Sequence, residues 1–205
     1  MQQLNTTKRT IRTAKRTAGR SLYPQNGNDR VYTPPELARD IVNHFKPCGR
    51  ILEPAAGQGS FVQCLPGCDW CELDFKTDFF EATGHYDWIV TNPPYSKFSD
   101  FLAHALCLAD NLLFLCPENS WGTFKRRDLV SRAGFGFVEH CQVPRPLPPW
   151  PQFGMVISAT WLRRGWLGSP QSTRLPSKLW DSDGRKMLLT QATCNAATVM
   201  DGASL

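Results

Sequence analysis

Residues 86–95, YDWIVTNPPY, constrain this chain more than any other stretch. Apart from Asp87, Tyr86–Thr91 is a run of large apolar and β-branched side chains, the pattern of a strand buried on both faces. Asn92 and two consecutive prolines then end it, because proline offers no N–H to a strand ladder. A strand buried on both faces needs helices above and below it, and segments able to supply them flank it. VYTPPELARDIVNHF (31–45) begins with Thr-Pro-Pro, a helix-opening signal, and continues with Leu37, Ala38, Ile41, Val42 and Phe45 at helical spacing. Phe98 to Ala109 repeats that spacing through Phe98, Phe101, Leu102, Ala105, Leu106 and Ala109.

The alternation extends along the chain. Arg50–Leu52 reads as a strand, Ser60–Leu65 as a short helix, and Asp69–Leu73 as a second strand. Asn111–Cys116 is another central strand, Arg126–Ala133 a helix, Phe135–Val143 a strand and Met155–Leu162 a final strand. Pro144–Pro151 carries five prolines and is a loop. Strands alternating with helices predict an α/β fold with a mostly parallel sheet covered on both faces. The last two strands have no helix between them, which predicts an antiparallel hairpin at one edge.

The charge is uneven. Residues 1–30 hold seven basic groups, Lys8, Arg9, Arg12, Lys15, Arg16, Arg20 and Arg30, against Asp29 alone, while the whole chain is +5. The basic excess therefore belongs to a leading arm suited to a polyanion such as nucleic acid, with a solubilising tail as the alternative. Residues 31–167 read as one domain, and the stretch from Gly168 to Leu205 as a linker-like tail. No apolar stretch follows the basic start and none approaches a membrane span, so the reading is a protein of the cytoplasm with no membrane partner. Eight cysteines without an export signal read as free thiols. The spacing of Cys64, Cys68 and Cys71 matches an iron–sulfur ligand set, but Cys64 falls on a helix and Cys71 in a strand, so no metal is expected.

Chemistry concentrates at the strand ends. Glu53-Pro54-Ala55-Ala56-Gly57-Gln58-Gly59 follows the first strand and opens a helix, and its glycines let the backbone approach a ligand. A carboxylate in such a loop repels phosphate and suits the ammonium of an amino-acid moiety, which points to S-adenosylmethionine. Glu72, in Cys71-Glu72-Leu73-Asp74, lies where doubly wound folds hold ribose hydroxyls, and is preferred to Asp74. Asp78-Phe79-Phe80 offers an acceptor and a ring to an adenine. At Asn92-Pro93-Pro94-Tyr95 the Asn92 side-chain oxygen and the Pro93 carbonyl can each accept a hydrogen from a delocalised amine. Pro94 keeps the turn rigid, and Tyr95 supplies a flat face for a base.

These segments, TPPELA (33–38), EPAAGQG (53–59), CELD (71–74), DFF (78–80) and NPPY (92–95), resemble in identity and order the S-adenosylmethionine-dependent DNA adenine-N6 methyltransferases. The resemblance covers about residues 31–165. It implies a Rossmann-like class I methyltransferase fold. It implies that Thr33 and Glu53 hold the methionine end of the cofactor, that Glu72 holds its ribose, and that Asp78 and Phe79 hold its adenine. Asn92, Pro93 and Tyr95 would hold a flipped target base, with Phe153 or Trp150 stacking on it.

Two features depart from that family. No segment after Leu162 reads as a separate recognition domain, so recognition is expected from the basic arm, from Lys125, Arg126 and Arg127, or from a partner subunit. The helix after the glycine loop is also short. Two readings compete with DNA adenine: another planar amine (an RNA base, cytosine N4 or a protein glutamine), or a subunit that binds cofactor and nucleic acid without catalysis. The missing recognition domain suits a phage-borne or orphan methylase.

Overall fold

The computed structural model of the 205-residue chain describes residues 31–144 and 154–175. Seven strands among the described residues form one sheet: β1 (Ile51–Glu53), β2 (Asp69–Trp70), β3 (Tyr86–Thr91), β4 (Ala109–Pro117), β5 (Phe135–Gln142), β6 (Ile157–Arg164) and β7 (Gln171–Arg174). Their spatial order is β2-β1-β3-β4-β6-β5-β7. All neighbouring pairs are parallel except the two made by β6, which runs antiparallel to both β4 and β5.

Among the described residues four α-helices flank the sheet: α1 (Pro35–Phe45), α2 (Ser60–Cys64), α3 (Phe98–Leu108) and α4 (Phe124–Arg132). Pro35 presets the first turn of α1. The helix ends where Lys46 turns left-handed and returns its N–H to the Val42 carbonyl. Successive residues of β3 serve opposite faces. Trp88 and Val90 pack with Leu37, Ile41 and Phe61 of α1 and α2. Ile89 packs with Phe98, Leu102 and Leu106 of α3. β4 alternates in the same way, sending Leu113 and Leu115 to the first cluster and Leu112, Phe114 and Cys116 to the second. This two-sided burial is what the apolar runs predicted, and it leaves the carboxyl ends of β1 and β3 side by side.

Three expectations about elements need correction. The second strand stops at Trp70, and Glu72 lies beyond it in an isolated bridge to Thr77. The β5–β6 pair is antiparallel as predicted, but β6 is inserted between β4 and β5 rather than completing an edge hairpin. The edge belongs to β7, within the stretch read as linker. β7 is polar and mostly exposed, so no periodicity announces it. It docks through the Thr173 hydroxyl, which donates to the Glu139 carboxylate, and through Leu175, which is 3% exposed in the α1-side core. Glu139 also accepts from His44 at 2.6 Å, so a buried carboxylate on β5 is held from both sides.

The seven described cysteines are free, and burial raises the pKa of Cys64, Cys68 and Cys71. Among the described residues no helix is long and apolar enough to cross a membrane.

Candidate active site

β1 delivers Glu53 to the floor of the site with only 1% of its surface exposed. The chain then turns sharply through Gly57 (φ 53°) and Gly59 (φ 80°), left-handed conformations that favour glycine, before α2 begins. The turn is tied down by backbone and side-chain bonds. Ala55 N–H donates to the Glu53 carboxylate at 3.0 Å, and Ala56 N–H to the Cys71 carbonyl at 2.9 Å. Gly57 N–H donates to Glu72 Oε2 at 2.7 Å. A side chain at Gly57 would place its Cβ 2.9 Å from the Tyr32 ring, so Tyr32 closes directly over the turn.

Glu53 is unusual electrostatically. Loss of hydration pushes its pKa up to about 8; the Thr91 side chain and the Ala55 N–H pull in the opposite direction, and the Glu72 charge adds a little to the rise. A carboxyl group held in this state is set to gain a cationic partner, because a cation would restore the stabilisation that burial removed.

β3 delivers Asn92. Its Nδ2 donates to the Val31 carbonyl at 2.8 Å and to Thr33 Oγ1 at 3.2 Å, so both amide hydrogens are engaged. Its Oδ1 is buried and has no hydrogen-bond partner among the described residues. An unpaired buried acceptor costs about 1–3 kcal/mol, and such a group calls for a donor from an ordered water or a ligand.

Asn92 borders two adjoining cavities. The larger, about 480 Å³, runs from Asn92 and Pro94 past Pro54, Ala55 and Gly57 to Glu72, Asp78 and Phe79. The smaller, about 30 Å³, lies behind the glycine turn and is bounded by Thr33, Glu53, Ser60 and Asn92. The fold thus gathers Thr33, Glu53, Pro54, Ala55, Gly57, Glu72, Asp78, Phe79, Asn92 and Pro94 around two cavities that share Ala55, Gly57 and Asn92 in their walls.

Other expected site residues stand elsewhere. Gly59 shapes the turn without bordering either cavity, and Pro93 is buried and borders neither cavity. Tyr95 is 6% exposed and packs in the α3-side core, because the 3₁₀ turn Tyr95–Lys97 rolls its ring inward ahead of Phe98. It is not a face of the cavity. Phe79 borders the space but is 2% exposed, its ring centroid 4.8 Å from those of Phe101 and His104. The neighbouring ring, Phe80, is 43% exposed and borders the same cavity. Asp78 Oδ1 accepts from Phe80 N–H at 2.9 Å and so also caps the turn that sets these rings.

Arg126 is not a free surface cation. Its guanidinium donates to Ser99 Oγ and to the Ser120 carbonyl, and lies 4.7 Å above the Phe98 ring, which locks α4 against α3. Lys125 and Arg127 are exposed. Lys8, Arg9, Arg12, Lys15, Arg16, Trp150 and Phe153 lie outside the described residues.

Sequence reasoning missed Tyr32, Phe80 and Lys97, all of which border the larger cavity. Phe80 was visible as the second ring of Asp78-Phe79-Phe80. Tyr32 and Lys97 carried no local signal.

No family model and no curated protein matches the chain. Solved structures do. The M protein of the type I restriction enzyme EcoKI aligns with a TM-score of 0.54 at 13% identity, covering 78% of this chain and 51% of its own. The modification subunit of a putative type I restriction enzyme from Vibrio vulnificus YJ016 aligns with a TM-score of 0.51 at 12% identity, covering 78% and 49%. A chain from a type I R-M system assembly aligns with a TM-score of 0.51 at 13% identity, covering 72% and 45%. The fold is the class I methyltransferase fold. The chain spans about half the length of these matched structures.

Proposed function

We propose that this chain transfers a methyl group from S-adenosylmethionine to the N6 amino group of adenine in DNA. The observation that carries the reading is Asn92 at the end of β3, which lines a cavity that reaches the glycine turn and whose Oδ1 has no hydrogen-bond partner among the described residues.

The residues fit the cofactor. Glu53, with no cationic partner among the described residues and with a raised pKa, suits its ammonium. Glu72 and Asp78 each keep carboxylate acceptor capacity beyond their backbone bonds, for ribose hydroxyls and an adenine amine respectively. Phe79 and Phe80 offer apolar surface beside Asp78. Bound there, S-adenosylmethionine supplies an electrophilic methyl group.

Asn92 acts on the other reactant. An adenine amino group is planar and a weak nucleophile because its lone pair is delocalised into the ring. Asn92 Oδ1 accepts one amine hydrogen, and the Pro93 carbonyl is the candidate for the second. A fixed acceptor at Asn92 draws the nitrogen toward tetrahedral geometry and stabilises the positive charge it gains on methylation. Because both Asn92 amide hydrogens are already engaged, little reorganisation accompanies the reaction.

DNA rests on two supports: the family resemblance of the five motifs and the basic residues of the arm. The matched solved structures are themselves described as parts of type I restriction systems. Target recognition is assigned to the arm, to exposed cations such as Lys125 and Arg127, or to a partner subunit, in the cytoplasm of a bacterial or phage-infected cell.

The test is transfer of labelled methyl from S-adenosylmethionine to DNA, followed by identification of the modified nucleoside. Asn92→Ala is expected to lower turnover by roughly a hundredfold or more while cofactor binding persists. Normal turnover in that variant overturns the mechanism. Label on cytosine, RNA or a protein glutamine in place of adenine overturns the substrate assignment.

A further inference from the structure

The unpaired oxygen of Asn92 is useful only if the carboxamide presents that oxygen, and not its NH₂ group, to the cavity. The two ends of a carboxamide have nearly the same size, so sterics alone do not choose between them. Hydrogen bonding does.

Residues 31–33 run past the tip of β3 as a strap. The Val31 carbonyl can only accept, and at 2.8 Å it requires nitrogen on its side of Asn92. Thr33 Oγ1, at 3.2 Å, takes the second amide hydrogen and fixes the rotation of the group about its last side-chain bond. Thr33 is 8% exposed, so little water is available to substitute for its hydroxyl. Hydrogen bonds donated by an amide nitrogen also increase the negative charge on its oxygen, which makes Oδ1 a better acceptor.

The strap is in turn fastened to the glycine turn. Ser60 Oγ, at the start of α2, donates to the Thr33 carbonyl at 2.5 Å, and the Tyr32 ring lies against Gly57. The same three residues therefore hold Asn92 and set its position relative to the turn that borders the cofactor cavity.

We infer that Thr33 is a positioning residue for Asn92, its hydroxyl accepting the second amide hydrogen and so holding the carboxamide with Oδ1 turned away from residues 31–33, a role distinct from the cofactor contact that the family resemblance implies. Its consequence for catalysis rests on the proposed role of Asn92; the contact itself does not.

Thr33→Val removes the hydroxyl at nearly constant shape and leaves the Thr33 backbone carbonyl for Ser60. Thr33→Ser restores the hydroxyl, and Thr33→Ala serves as a second deletion should the valine variant fail to fold. The first readout is the Asn92 side-chain amide in ¹⁵N-correlated NMR spectra, assigned by its loss in Asn92→Ala. Thr33→Val is expected to shift one of its two proton resonances and speed its exchange with water, while Thr33→Ser keeps the wild-type pattern. An unchanged Asn92 amide in the deletion variants overturns the inference, even if the wild type transfers no methyl to DNA and the proposed function fails.

The second readout is kinetic. Deletion is expected to lower kcat by roughly ten- to a hundredfold with cofactor affinity unchanged, and Thr33→Ser to recover most of it. A loss confined to cofactor affinity would instead return Thr33 to the role of a cofactor ligand.

Discussion

At the scale of single residues, burial governs the behaviour of Glu53. Its pKa in the folded chain lies at about 8, well above the value of 4.5 for a free glutamate. A group raised in this way favours the folded state fully below pH 4.5 and loses that contribution as the pH climbs through 8. The unliganded chain is therefore expected to become less stable across this window, and Glu53→Gln to flatten the trend, as read by urea unfolding at several pH values. Cofactor affinity should run the opposite way, because an ammonium pairs with the ionised carboxylate. Below pH 8 the affinity is expected to fall by up to about tenfold per pH unit, and calorimetry in buffers of different ionisation enthalpy should record a released proton. A pH-independent affinity would remove Glu53 from the cofactor site. Its candidacy was readable from a carboxylate placed in a glycine turn; its depth and its raised pKa depend on what packs over that turn.

Among the secondary-structure elements, the alternation of helices and strands was readable wherever burial imposed a period. α1, α3, β3 and β4 carry apolar residues at intervals set by local geometry, and these elements lie where the spacing predicted. β7 escaped for the same reason in reverse, and β2, expected over Asp69–Leu73, was carried too far past Trp70. β2 has two exposed residues and β7 four residues with none buried, so neither leaves a hydrophobic signature. β7 is held by a polar contact to Glu139 and by the single apolar anchor Leu175. Leu175→Ala is accordingly expected to destabilise the chain by about 2–3 kcal/mol in denaturant unfolding, as for a buried core leucine. A residue in a true linker would show no such loss. The inserted position of β6 is equally a matter of pairing register, which no property of residues 157–164 alone specifies.

For the whole molecule, the concentration of positive charge in residues 1–30 predicts how the chain should meet a polyanion. Replacing Lys8, Arg9, Arg12, Lys15 and Arg16 with glutamine is expected to weaken DNA binding across all sequences and to reduce its salt dependence. The slope of log affinity against log salt should fall by about 0.9 for each phosphate contact removed. An unchanged slope in a salt titration would assign the arm some other role and shift DNA contact to surface cations such as Lys125 and Arg127. Arg126 does not belong with them, because its guanidinium is engaged between α3 and α4.

What the sequence determined by itself was local in origin: the α/β alternation, the glycine turn after β1, and the placement of Asn92 at a strand tip. Periodicity and turn chemistry act between residues a few positions apart, so one stretch of chain contains both cause and effect. What only the tertiary structure decided was the set of partners. Asn92 is oriented by residues 61 and 59 positions earlier in the chain, Tyr95 turns into the core, and β7 closes an edge that its own residues do not announce. Hydrogen bonds and packing between distant segments exist only once the sheet brings those segments together, and the direction in which Asn92 presents its oxygen is settled there.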